Sequence, residues 1–226
     1  MDEKLVVKNY FNTTGFERWR RIYGDAQVNR VQRDIREGHA RSVETVLEWL
    51  DDVEKQRICD AGCGVGSLSI PLAQRGARVF ASDISDKMVQ EASDRARQTL
   101  ATSDNPQWTT SDLEAIAGKY DTVVCLDVMI HYPEADALRM IEHLTELAEQ
   151  RLIFSFAPKT FWLSILKKIG EFFPGPSKAT RAYQHRESAI CDRLQQLGWT
   201  VNRRATIGSQ FYYAWILEVL PTQSAG

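Results

Sequence analysis

The feature that most constrains the fold is the run Asp60-Ala-Gly62-Cys-Gly64-Val-Gly66-Ser67. It follows the short apolar stretch Arg57–Ala61 directly and opens a helix-forming stretch, Ser67–Gln74, that stops at Gly76. Glycines between a strand and a helix let the backbone turn tightly and approach a ligand with no side chain between. The helix behind them offers N–H groups that have no partner within the helix. A second apolar stretch, Arg78–Ser82, runs into Asp83, 21 residues after Gly62. An acid at that distance is placed to accept hydrogen bonds from ribose hydroxyls. Dinucleotide sites carry a third glycine where this chain has Ser67, whereas the spacing here is GxGxG with an acid, Asp60, leading it. The loop therefore fits a ribose-bearing ligand with a cationic ammonium and no pyrophosphate.

The rest of the chain repeats the alternation. An amphipathic helix over His39–Leu50 carries Val43, Val46, Leu47 and Leu50 on one face. Ser85 is placed to cap a helix whose Met88, Val89, Ala92, Ala96 and Leu100 share a stripe. Trp108–Thr110, the nearly all-apolar Asp121–Asp127 and Arg151–Phe156 read as further strands, with a helix at Glu134–Glu149. A helix at Ser188–Leu197 ends at Gly198, and Trp199–Ile207 with Phe211–Val219 form a closing hairpin. Strands alternating with helices imply an α/β fold: a doubly wound, mostly parallel, seven-stranded sheet whose ligands lie at the carboxyl ends of its strands. One domain over 1–226 suits the length.

Composition narrows the partners. Lys+Arg number 28 against 30 Asp+Glu, so the chain lacks the basic excess of a general nucleic-acid binder. Four scattered cysteines form no CxxC pair, which argues against a disulfide framework or a metal site and for a reducing, cytoplasmic setting. The acidic N-terminus, MDEKLVVKNYFN, has no apolar core of signal-peptide length. No stretch approaches the roughly 18 apolar residues of a membrane span.

The GxGxG spacing behind Asp60, with Asp112-Leu113 after the third strand, resembles the S-adenosylmethionine loop of class I methyltransferases. Outside the sheet, Tyr10–Asp25 (YFNTTGFERWRRIYGD), Asp127–Pro133 (DVMIHYP) and the FSFAPKT and FPGPSKATRAYQH segments carry a narrower likeness. Together with DAGCGVGSLSIPL and ASDIS, they resemble the magnesium protoporphyrin IX methyltransferase family, over essentially the whole chain. The resemblance implies methyl transfer to one propionate of magnesium protoporphyrin in chlorophyll biosynthesis, yielding a monomethyl ester and S-adenosylhomocysteine. It assigns cofactor contacts to Asp60, Gly62, Gly64, Gly66, Asp83, Ile84, Met88, Asp112 and Leu113, and Asp127 reads as a cofactor contact or as a structural residue. Tyr23 and His131 are expected to position the substrate. The cofactor loop alone also admits another flat acceptor, such as a quinone precursor, or a cofactor-binding scaffold without catalysis.

Residues 1–38 are expected to form lid helices and 157–187 a cap. Residues 158–186 hold six basic side chains (Lys159, Lys167, Lys168, Lys178, Arg181, Arg186) and one acid, Glu171, among many apolar ones. Apolar walls with cationic rims suit a flat ring bearing two carboxylates, and Lys159, Lys178 and Arg181 are the expected substrate contacts. The same stretch also reads as an element resting on an anionic membrane, or as a solvated face over a packed helix. The resemblance further implies a partnership with the large porphyrin-binding subunit of magnesium chelatase.

Overall fold

The structure is a computed structural model that describes residues 3–24, 26–102, 104–159 and 182–222. Three helices lead in: α1 (Glu3–Asn12), α2 (Thr14–Ile22) and α3 (Arg30–Trp49). The chain then alternates β1 (Arg57–Ala61), α4 (Ser69–Gln74), β2 (Arg78–Asp83), α5 (Asp86–Thr99), β3 (Gln107–Thr110), β4 (Tyr120–Cys125), α6 (Glu134–Leu147) and β5 (Ala148–Phe156). It closes with α7 (Glu187–Gln196), β6 (Trp199–Gly208) and β7 (Tyr213–Pro221).

The seven strands pair in the order β3-β2-β1-β4-β5-β7-β6. Pairs among β1 to β5 are parallel, while β7 runs antiparallel to both β5 and β6. The central strands are buried nearly throughout, as a sheet covered on both faces requires. Alternate residues serve opposite layers. Cys59, Ala61, Val123 and Phe154 join Met140, Ile141 and Leu144 of α6 in one cluster. Ile58, Val124 and Ile153 join Val46 of α3 and Leu72 of α4 in the other. Each such aliphatic side chain contributes about 1.5–3 kcal/mol of burial.

Sheet order reverses between β1 and β4, so the loops leaving these strands face each other. They nearly touch: a Cβ built on Gly62 would lie 2.1 Å from Val128 Cγ2. This is the switch point at which doubly wound sheets bind ligands.

Several boundaries depart from the sequence reading. α3 starts at Arg30 rather than His39, because Asn29 and Gln32 form a reciprocal cap that sets the first turn. A lid ending at residue 38 would therefore cut through a continuous helix. α4 starts at Ser69, two residues later than expected, since the glycine turn extends further. Asp127 does not close β4; the strand stops at Cys125, and Asp127 sits beyond it with φ +56°. α6 ends at Leu147, and β5 takes up Ala148 in register with Tyr120. β7 begins at Tyr213, two residues after Phe211. Among the described residues no helix is long and apolar enough to cross a membrane.

Candidate active site

The glycine turn is fixed to the neighbouring strand. The Gly62 and Cys63 N–H groups donate to the Ser82 carbonyl at 2.7 and 2.9 Å. Asp83 then ties the turn to the start of α5: its carboxylate accepts the Gly64 N–H at 3.0 Å and the Ser85 N–H at 2.9 Å. Burial raises the Asp83 pKa, and these backbone donors oppose the rise. Gly64 adopts φ +52°, and a Cβ there would meet nothing within 4 Å, so the backbone borders open space. Ser85 accepts the Met88 N–H at 3.2 Å and starts α5 as the sequence suggested.

A cavity of about 850 Å³ opens above these strand ends. Gly62, Gly64, Asp83, Ile84, Met88 and Leu113 lie on one wall. Three residues expected beside them are not wall residues. Asp60 is buried beneath the loop, where it accepts the Ser69 hydroxyl at 2.5 Å, and burial lifts its pKa to about 6. Gly66 packs inward, since a Cβ there would meet Trp108 at 2.9 Å and Ala92 at 3.3 Å. Asp112 caps the turn Leu113–Ala115 and pairs with Lys4 at 3.2 Å. Asp60 and Gly66 thus lie beneath the turn, while Asp112 borders a second, smaller pocket beside Ile84 and Ser111.

Tyr23, Asp127, His131 and Lys159 line the same cavity. Lys178 and Arg181, and most of the expected cap, lie outside the described residues. Tyr23 follows α2, and its ring lies between Trp19 (centroids 5.3 Å) and His39 (4.3 Å). Burial, with Asp127 adding to it, pushes the Tyr23 phenol well above its usual range and keeps it neutral. The His131 ring meets Phe11 edge-on at 5.2 Å, and its buried Nδ1 has no hydrogen-bond partner among the described residues. Burial lowers the His131 pKa to about 4, against the pull of Asp127, so the imidazole is neutral at pH 7.

Asp127 itself is occupied by protein. His39 Nδ1 lies 2.8 Å from Oδ2, and the Tyr212 hydroxyl lies 2.9 and 3.0 Å from the two oxygens. Ser155 donates to Oδ1 at 3.3 Å and accepts the Asp127 N–H at 2.8 Å. Despite burial, these partners hold its pKa below the ordinary carboxylate value. Expected as a cofactor contact or a structural residue, Asp127 lines the cavity and is the hub of a side-chain network that includes cavity-lining His39, Tyr212 and Ser155. Sequence reasoning missed all three. A histidine inside an amphipathic helix was the available signal for His39; nothing local marks Tyr212 or Ser155, which arrive from β7's approach and β5.

A switch-point cavity bordered by a GxGxG turn and a ribose-placed acid defines a class I, S-adenosylmethionine-dependent methyltransferase. A model of the general methyltransferase domain matches residues 58–150, and one described as "Magnesium-protoporphyrin IX methyltransferase C-terminus" matches 125–221. The chain is 56% identical to a magnesium-protoporphyrin O-methyltransferase from Synechocystis PCC 6803, covering 97% of both. It is 54% identical to a chloroplastic magnesium protoporphyrin IX methyltransferase of Arabidopsis thaliana, covering 97% of this chain and 72% of that one. The crystal structure of the Synechocystis enzyme with bound S-adenosylhomocysteine superposes with a TM-score of 0.89 at 55% identity, over 96% and 99% of the two chains. The chain belongs to the magnesium-protoporphyrin O-methyltransferase family.

Proposed function

We propose that the chain methylates one propionate of magnesium protoporphyrin IX, with S-adenosylmethionine as donor, giving the monomethyl ester and S-adenosylhomocysteine in chlorophyll biosynthesis. The observation that carries this is one cavity joining the glycine wall to the Tyr23–His131 side, in a chain related to porphyrin methyltransferases over nearly its full length. Its volume falls in the upper part of the roughly 300–1,000 Å³ range of small-molecule sites.

S-adenosylmethionine supplies an electrophilic methyl on a sulfonium, with the thioether as leaving group. The chain's task is placement. A propionate with a pKa near 4–5 is almost fully ionised at neutral pH, so its oxygen attacks without a strong base. Holding that oxygen in line with the methyl is a proximity effect. We assign Gly62, Gly64, Asp83, Ile84, Met88 and Leu113 to the donor, with Asp60 and Gly66 beneath that wall and Asp112 beside it. Tyr23 and His131, both neutral, present polar atoms to the acceptor without adding charge beside the carboxylate. Apolar side chains such as Phe11, Ile130 and Phe156 wall the same cavity and suit a flat macrocycle. Lys159, with Lys178 and Arg181, is assigned to the substrate's carboxylates.

We also place the protein in the cytoplasm, in peripheral contact with photosynthetic membranes and in functional partnership with the large porphyrin-binding subunit of magnesium chelatase. Handover between neighbouring enzymes suits a substrate so apolar. The test is incubation of purified protein with both substrates and mass analysis of the porphyrin. One added methyl per molecule, matched by S-adenosylhomocysteine, is expected; an unmodified porphyrin with the cofactor bound contradicts the reading.

A further inference from the structure

The network around Asp127 does more than close a gap behind the cavity. His39 projects from α3 with one ring nitrogen committed, because Nδ1 lies 2.8 Å from Asp127 Oδ2. Its ring is braced on one face by Tyr23 at 4.3 Å. Asp127 is braced in turn by Tyr212 and Ser155, and Tyr212 also lies 2.8 Å from the Ser42 hydroxyl, one turn further along α3. The other nitrogen of His39, Nε2, makes no hydrogen bond among the described residues, and the residue lines the cavity. An imidazole fixed through one nitrogen by a carboxylate is thereby oriented to present the other. The positive φ of Asp127 is part of this arrangement: it puts the carboxylate where three elements converge.

We propose that His39 is a substrate-positioning residue whose Nε2–H donates to one oxygen of the reacting propionate. This deepens the porphyrin reading of the cavity and rests on it. Donation through both nitrogens, to Asp127 on one side and the propionate on the other, takes a doubly protonated ring. Its extra proton comes from solvent, or from the propionic acid if that enters neutral, and returns to solvent once the uncharged ester has formed. The second propionate oxygen stays free to attack the methyl. Asp127, whose charge would otherwise repel the substrate, acts through His39 and attracts it.

The test compares His39→Asn and His39→Gln with the wild type. An asparagine amide nitrogen reproduces the Nδ1 position and keeps the Asp127 bond; a glutamine amide nitrogen reproduces Nε2 and keeps the donor for the propionate. Each protein is titrated with magnesium protoporphyrin IX and with its dimethyl ester, which lacks both carboxylates. Calorimetry with S-adenosylhomocysteine and turnover are measured alongside. The wild type should prefer the free acid. His39→Asn should weaken that preference, with Lys159, Lys178 and Arg181 still serving the carboxylates, and lose about 10- to 100-fold in kcat/KM, the size of one hydrogen bond to a charged group, while cofactor affinity stays within about twofold. His39→Gln should recover part of both. Asparagine performing as well as glutamine would overturn the proposal, because His39 would then serve only to hold Asp127. A parallel loss of cofactor affinity, or no preference for the free acid in the wild type, would overturn it too. Porphyrin binding without turnover in the wild type would instead refute the methyl-transfer reading, and the free-acid preference would still judge His39.

Discussion

At Gly62 two constraints meet in one residue. The backbone lies at φ +88°, and any Cβ would collide with Val128 across the switch point. Gly62→Ala must therefore separate the two loops that meet at the switch point, beyond the roughly 1–2 kcal/mol of left-handed strain itself. The expected result is a loss of S-adenosylhomocysteine affinity of tenfold or more, read by calorimetry. His131 gives a second prediction. Its folded pKa of about 4 lies below the unfolded 6.5. The unfolded chain thus binds a proton that the folded chain refuses, and the contribution of this residue, complete above pH 6.5, drains away as pH falls toward 4. The whole shift is worth roughly 3 kcal/mol. Denaturant unfolding across that window should show a shallower acid loss in His131→Asn than in the wild type. Identical slopes would mean that His131 is solvated.

Among the elements, α2 and α3 bring Tyr23 and His39 to the cavity, and the Arg36 guanidinium joins them. Arg36 of α3 donates to the carbonyls of Ile22 and Arg21 at the end of α2, both at 2.7 Å, and to that of Ala26 beyond it at 2.8 Å. Arg36→Ala should loosen the turn that carries Tyr23. A severalfold rise in KM for the porphyrin is expected, with cofactor affinity within about twofold, because the glycine wall is built elsewhere. Steady-state kinetics against each substrate separates the two. Most elements were legible in the sequence because each has a local cause. β1 at Arg57–Ala61 was read to the residue from its apolar run, and Ser85 was read as a cap from its position before a periodic stripe. The start of α3 was not, because Asn29 and Gln32 cap it through a reciprocal pair easily passed over among charged neighbours.

For the molecule as a whole, the sheet order decides which residues meet. Residues 62 and 128 are neighbours only because β4 returns beside β1, and His39, Asp127 and Tyr212 meet only because α3 covers the end of a sheet that β7 has entered antiparallel. The glycine turn and the acid that ties it were readable, since both follow consecutive strands of one βαβ unit. The Asp127 network was not, since its contacts join His39, Ser42 and Tyr212 across most of the chain and none carries a local pattern. Asp60 misled for the converse reason: an acid at the head of a glycine turn has the right type and spacing for contact, and only packing shows it turned toward Ser69. The most direct test of the central claim is where the methyl goes. Turnover with methyl-labelled S-adenosylmethionine and magnesium protoporphyrin IX, followed by carbon nuclear magnetic resonance of the isolated pigment, reads this in one spectrum. A single labelled signal in the methyl-ester region is predicted; label on nitrogen or ring carbon, or none in the pigment, would contradict it.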